Sequence, residues 1–199
     1  MSLDYFFRLF ISGLTRGSIY ALLALGYTMV YGIIQLINFA HGEIYMIGAF
    51  TALIIASILT FSGMPLIAIF VLALVIAIIY SMAYGYTVEK MAYKPLRTAP
   101  RLSALISAIG MSIFLQNYVL LAQTSDFLPF PSLTPAFTFM EPIQHILSSS
   151  QLFILAATAL VLVVLTLVIK FTRTGKAMRA TSQDKTMAAL VGININRVI

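Results

Sequence analysis

The sequence predicts an all-α integral membrane protein, a polytopic helix bundle with about five apolar segments and an early broken helix. Three observations carry this. Residues 44–88 hold no charge and are interrupted only at Gly63, Met64 and Pro65. A crossing needs roughly 20 apolar residues, so this run accommodates two crossings and a tight turn. Hydrophobic residues make up 61% of the 199 and charged residues 9%, against roughly 25% charged in soluble domains. The runs are also continuous rather than alternating. Only helices or closed barrels satisfy the backbone in lipid, and an unalternating run belongs to a helix.

The segments, in order, cover about 9–37, 43–60, 65–88, 102–123 and 152–169. Before the first stand Asp4 and Arg8, with no small-residue cleavage site, so the N-terminus reads as mature chain rather than a removable signal. Small residues at Gly13, Gly17, Ala21 and Ala24, and again at Ser103, Ser107 and Gly110, allow close helix approach. The chain shows no internal repeat and no low-complexity tract. With no cysteine there is no disulfide, thiolate metal site or thiol nucleophile.

Loop charge sets the orientation. Residues 89–101 hold Lys90, Lys94, Arg97 and Arg101 against Glu89. The tail holds Lys170, Arg173, Lys176, Arg179, Lys185 and Arg197 against Asp184. Residues 124–150 have no Lys or Arg, but carry Asp126, Glu141, Pro129, Pro131, Pro135 and Pro142. The positive-inside rule puts the two basic stretches in the cytoplasm and 124–150 outside. Three crossings before Glu89 then put the N-terminus outside, although Arg8 and Arg16 favour the inside. A broken or re-entrant early segment is the alternative. The net charge of +6 sits beside apolar runs, where it orients helices, and signals no nucleic-acid partner.

Two polar interruptions are candidate functional positions. Asn38, His41 and Glu43, with Gly42 among them, break the first apolar stretch after Gln35. An acid at a helix centre costs roughly 2.5–3.5 kcal/mol on insertion scales. The break therefore lines a polar cavity, or it is an interfacial turn whose carboxylate favours a helix N-terminus. Gln116 and Asn117, inside the fourth segment, face either a translocation path or a neighbouring helix. His41 and Glu43 lack the His-Glu-x-x-His spacing of a zinc hydrolase, and one His with one acid makes a poor metal site.

After residue 169 the chain turns polar. Ser182 is expected to cap a helix of about two turns over 183–191, ended by Gly192. Met187, Leu190 and Val191 then share one face. That helix either docks in a groove on a soluble partner or is a solvated stretch that supplies positive charge.

Several stretches, in order, carry a resemblance. They are Gly-Ser-Ile-Tyr-Ala-Leu-Leu-Ala-Leu-Gly from residue 17, continuing to Gly32, and Ile-Asn-Phe-Ala-His-Gly-Glu from residue 37, continuing to Ala49. Ala-Tyr-Lys-Pro-Leu-Arg follows from residue 92, Arg-Leu-Ser-Ala-Leu-Ile-Ser-Ala-Ile-Gly from residue 101 to Asn117, and Gly-Lys-Ala-Met-Arg-Ala from residue 175 to Asn194. Together they resemble the membrane permease subunits of ABC importers for branched-chain amino acids, the high-affinity type fed by a binding protein.

The resemblance implies a cytoplasmic coupling loop over 172–199, after permease helices over 1–171. It docks on ATPase subunits through Gly175, Arg179, Asp184, Ala188, Leu190 and Gly192. It also implies a translocation path near Asn38, His41, Glu43, Gln116 and Asn117. Implied partners are a second permease subunit, two ATP-binding subunits, a periplasmic substrate-binding protein and membrane lipid, in the bacterial inner membrane. No Gly-x-x-x-x-Gly-Lys-Ser/Thr loop occurs, so ATP is expected on partner subunits and no bond chemistry on this chain. Family members continue with further helices after the coupling loop. The expectation is therefore a fragment or a truncated product lacking the C-terminal third. Urea and short-chain amide permeases share much of this vocabulary, and a non-transporting membrane fragment is the other alternative.

Overall fold

Apolar runs with no external partner for their peptide groups close those groups on themselves. In a computed structural model the chain does so as helices, with residues 3–34, 37–96, 99–124, 126, 128–131 and 147–198 described. The long helices are α1 (Leu3–Ile34), α2 (His41–Thr60), α3 (Leu66–Val88), α4 (Arg101–Ala122) and α5 (Ser149–Phe171). Three short ones follow: α6 (Arg173–Gln183), α7 (Lys185–Leu190) and α8 (Ile195–Val198). Five helices are long and apolar enough to span a bilayer, and no strand occurs among the described residues. Gln35, Arg97, Pro135, Glu141 and Pro142 lie outside the described residues, as do the side chains of Arg101 and Arg197.

Most boundaries fall within a few residues of expectation, and three differences have physical reasons. α1 starts at Leu3 rather than near residue 9, with Asp4 in its first turn, where a carboxylate complements the helix dipole. α5 starts at Ser149, because Ser148 donates its backbone N–H to Gln151 Oε1 at 3.0 Å, half of a capping box. The stretch after Val88 is not an open loop. α3 runs on through a π turn (Glu89–Tyr93) and a 3-10 turn (Lys94–Leu96). Pro95 has no N–H to give the carbonyl of Met91, four residues back, so the α pattern stops there; Ser107 Oγ donates to the carbonyl of Ala92 at 3.3 Å.

The chain divides into two compact units, Leu36–Pro135 and Met1–Gln35 with Ala136–Ile199. In the first, α2 and α3 form a hairpin. Gly63, at φ +70°, makes its turn, and Pro65 stands just before α3, where its missing N–H costs nothing. The core is built of small side chains. Ala40, Ala92 and Ala108 pack with Ile47, Val88, Tyr93, Leu115 and Val119, and a second cluster joins Ala56 and Ala73 to Ile69. The larger apolar residues Ile58, Phe61, Ile79 and Leu121 point outward. Lipid tails are as apolar as leucine, so close approach of small residues, not sequestration of large ones, holds such helices together. At Gly48 a Cβ would meet Ser81 Oγ at 2.5 Å, so α2 runs close to α3 there.

In the second unit α1 packs against α5 and α6, and α6 against α5, α7 and α8. Thr15, Thr158 and Thr181 are buried. Thr15 and Thr181 return their hydroxyl protons to carbonyls one turn back, Ile11 at 2.8 Å and Ala177 at 2.9 Å.

Candidate functional site

Within the first unit the polar residues of the helix break are organised by side chains from α3's extension and α4. Asn38 Oδ1 accepts the backbone N–H of Ala40 at 3.1 Å and the hydroxyl of Tyr93 at 2.7 Å. The Asn38 carbonyl accepts the N–H of His41 at 3.1 Å. Asn38 thus builds the turn that starts α2 and ties it to the π turn, the local side-chain bonding at which asparagine excels. Ala40, between them, is fully buried.

Glu43 lies in the first turn of α2, and its Oε1 accepts the hydroxyl of Ser112 at 3.0 Å. Ser112 sits about 16 Å along α4 from Arg101 at 1.5 Å per residue. The carboxylate therefore occupies the electrostatically favoured end of α2 and lies beside the middle of α4. His41, half-buried, precedes it by two residues, a spacing that puts the two side chains on different faces of the helix. No group of three or more His, Cys, Asp or Glu side chains arranged to hold a metal ion is found among the described residues.

Gln116 and Asn117 part company. Asn117 Nδ2 donates to the carbonyl of Ile113, one turn back, at 2.8 Å. Gln116 lines a cavity of about 480 Å³ together with Met46, Phe50, Leu53, Val119 and Asp126. Sequence reasoning missed three tyrosines. Tyr84 meets Tyr80 and Tyr118 with ring centroids 5.1 and 6.3 Å away, beside a smaller cavity of about 140 Å³. Tyr80 and Tyr84, one helical turn apart, were a usable signal; Tyr118, on another helix, was not.

The polar tail forms a built element within the second unit. Thr172 caps α6 by accepting the N–H of Gly175 at 3.0 Å, and donates its own hydroxyl to the carbonyl of Val168 at 2.6 Å. Gly175 lies so close under the end of α5 that a Cβ there would run into the carbonyl oxygens of Val168 and Ile169. Arg179 donates to the carbonyls of Ile169 and Lys170, the latter at 3.3 Å. These are orphan acceptors at a helix C-terminus, where a cation is favoured.

The helix expected over 183–191 is shorter, and Ser182 does not cap it. Ser182 lies inside α6 and donates to the carbonyl of Arg179 at 2.8 Å. Asp184 caps α7 instead, accepting the N–H groups of Thr186 at 2.7 Å and Met187 at 3.0 Å. The earlier helix, started by Thr172, runs on to Gln183, so the cap falls two residues later. Gly192 ends α7 as expected, at φ +85°. Its N–H donates to Ala189, and that of Ile193 to Ala188, both at 3.0 Å, the paired bonds of a Schellman ending. Ala188 is buried, whereas Met187, Leu190 and Val191 are 62%, 76% and 76% exposed. The capped helix therefore carries an uncovered apolar face.

Five spanning helices, with a polar turn just before the second, and a basic tail folded into a short capped helix define a multi-pass α-helical membrane protein. The chain belongs to the family described as branched-chain amino acid transport system / permease component, whose model matches residues 9–199. It is 48% identical over 199 residues to the high-affinity branched-chain amino acid transport system permease protein BraD of Pseudomonas aeruginosa. It is 47% and 46% identical to the LivH proteins of the same description from Salmonella typhimurium and Escherichia coli K12. Each alignment covers 98% of this chain and 65% of the relative. No solved structure matches it significantly.

Proposed function

We propose that this chain belongs to the permease subunit of an ABC importer that carries branched-chain amino acids across the bacterial inner membrane. ATP binds and is hydrolysed on two partner subunits. A second permease subunit completes the path, and a periplasmic binding protein delivers the substrate. Residues 1–171 supply membrane helices and residues 172–199 the coupling segment. The turn with Lys90 and Lys94 and the α6–α8 element face the cytoplasm, as the positive-inside rule prefers.

The observation that carries this reading is the exposed apolar face of α7 on a helix capped at both ends. Such a face on a solvated tail fits a groove on a soluble partner better than it fits water. Asp184 and Gly192 would fix the helix ends, Leu190 would enter the groove, and Ala188 would pack inward. Gly175 and Arg179 would hold the element against α5, so that closure of the ATPases moves a membrane helix. Asn38, His41, Glu43, Gln116 and Asn117 would lie along or beside the path. Discriminating a branched aliphatic side chain needs only an apolar surface, worth roughly 1–3 kcal/mol per methylene.

The test is uptake by the complete transporter in proteoliposomes, with labelled leucine and labelled urea. ATP-dependent leucine uptake that needs the binding protein is expected. Urea uptake without leucine uptake would overturn the substrate assignment. Leu190→Glu should prevent co-purification with the ATPase subunits, and normal co-purification would overturn the coupling assignment.

A further inference from the structure

The N-terminal half of α1 carries more than a membrane crossing uses. The helix has 32 residues, about 48 Å at 1.5 Å per residue, whereas the hydrocarbon core is roughly 30 Å thick. Its charged residues, Asp4, Arg8 and Arg16, all lie in this half. Residues 17–34 are uncharged and about 27 Å long, which matches the core. Arg16 therefore stands at one edge of the core, and Arg8 about 12 Å further out. Long side chains on a helix lean toward its N-terminus, so the Arg16 guanidinium reaches outward to the phosphate layer. Both arginines are exposed, and neither has a hydrogen-bond or ion-pair partner among the described residues. Asp4, one turn before Arg8, offsets part of the charge there, which leaves Arg16 the larger share.

Beside these cations the helix is hollowed. Phe6, Phe10, Gly13 and Gly17 share one face at helical spacing, and Thr15, on the opposite face, is buried. On the open face Phe6, Leu9, Phe10, Gly13 and Leu14 line a groove of about 390 Å³. The rings of Phe6 and Phe10 stack at 6.4 Å and form one wall. A Cβ at Gly13 or Gly17 would meet nothing within 4 Å, so the groove continues down the helix into the core. Arg16 stands one turn from Gly13, at its edge.

We propose that this half of α1 binds an anionic phospholipid, with the phosphate on Arg16 and Arg8 and an acyl chain laid in the groove past Gly13 and Gly17. The groove takes lipid rather than a partner helix because its edge carries cations at the depth where phosphates supply the opposite charge, whereas a helix would have to bring a buried acid. A zwitterionic lipid offers the same phosphate, but its own cation is repelled by the arginines. The inference needs only that α1 spans a bilayer, and it stands or falls apart from the importer reading.

The experiment reconstitutes the complete transporter in phosphatidylcholine vesicles containing a trace of phosphatidylglycerol or phosphatidylcholine, each with the same photoactivatable acyl chain, and maps the crosslinked peptides. The phosphatidylglycerol probe should label residues 6–17 at least tenfold more than the phosphatidylcholine probe, from about fivefold per arginine. Arg16→Gln should lower that labelling about fivefold, Arg8→Gln less, and the double variant should bring it to the phosphatidylcholine level. Arg8→Lys with Arg16→Lys should keep most of it. Gly13→Leu, which fills the groove on an open face, should lower labelling with both arginines in place. Equal labelling by the two probes, or wild-type labelling of the double Gln variant, would overturn the site. No labelling of residues 6–17 by either probe would also overturn it, and would assign the groove to a partner helix. Excess inorganic phosphate should leave the labelling unchanged; displacement of the lipid probe would assign the arginines to a free anion instead.

Discussion

Gly175→Ala should open the corner between α5 and α6. The added methyl would run into the carbonyl oxygens of Val168 and Ile169, with the Ile169 carbonyl carbon at 2.6 Å. Those atoms are backbone at the end of a helix and cannot rotate aside, so the first turn of α6 must move. Overpacking alone costs about 1–3 kcal/mol. Displacement of α6 also loosens the Thr172 cap, worth about 1 kcal/mol, and the charge-assisted bonds from Arg179, worth about 1.5–3 kcal/mol together with their geometry. These terms are not additive, and a net cost of about 3 kcal/mol is a conservative figure. At 1.4 kcal/mol per tenfold, the opened form becomes about a hundred times more populated. The segment holds Arg173, Lys176, Arg179 and Lys185, all trypsin sites. When closing is fast relative to cleavage, the cleavage rate follows the population of the open form. The assay is limited trypsin digestion of the detergent-solubilised transporter, scored at the fragment ending near residue 176. Gly175→Ala should be cut at least tenfold faster than wild type, whereas Gly13→Ala, where a Cβ meets nothing within 4 Å, should match wild type. Equal cleavage of Gly175→Ala and wild type would refute the packing argument.

Three further predictions follow from single contacts. At Gly48 the obstructing atom is a hydroxyl that can rotate, so Gly48→Ala should shift the thermal midpoint of the solubilised protein little, whereas Gly48→Leu should separate α2 from α3 and lower its yield severely. Asp184→Ala removes the acceptor of two N–H bonds and should cost about 1 kcal/mol, read as a lower thermal midpoint of the solubilised protein that Asp184→Asn largely restores; Gly192→Ala, strained at positive φ, should lose about as much. Tyr93→Phe removes one of two bonds to Asn38 Oδ1 and should cost about 1 kcal/mol, while Asn38→Ala should cost more in the same thermal unfolding measurement, because both bonds to that oxygen go.

The spans were legible because hydropathy acts on every residue of a helix at once, and lipid leaves a long uncharged run no other stable form. The hairpin turn at Gly63 and Pro65 and the stop at Gly192 were legible because each rests on a residue with special backbone freedom or restriction. α6 was not legible. Its residues are polar, and its start depends on one threonine whose partner is three residues on. The choice of Asp184 over Ser182 as cap was a contest between two good capping residues, settled by where the preceding helix ran out. The pairings of Asn38 with Tyr93 and of Glu43 with Ser112 join residues far apart in sequence, and local pattern holds no record of them. The bond from Ser107 to the carbonyl of Ala92 likewise ties the π turn to another helix.

Gly175 and Arg179 leave no slack between α5 and the helix that follows. Thr172 is the single residue between α5 and α6, and Asp184 the single residue between α6 and α7. Each of these joints is pinned by bonds across it. Were the far tip displaced, these single-residue pivots would leave little slack to absorb the movement before it reached α5, as in a bell crank. Adding a few flexible residues at either pivot would leave every helix intact and uncouple their movements.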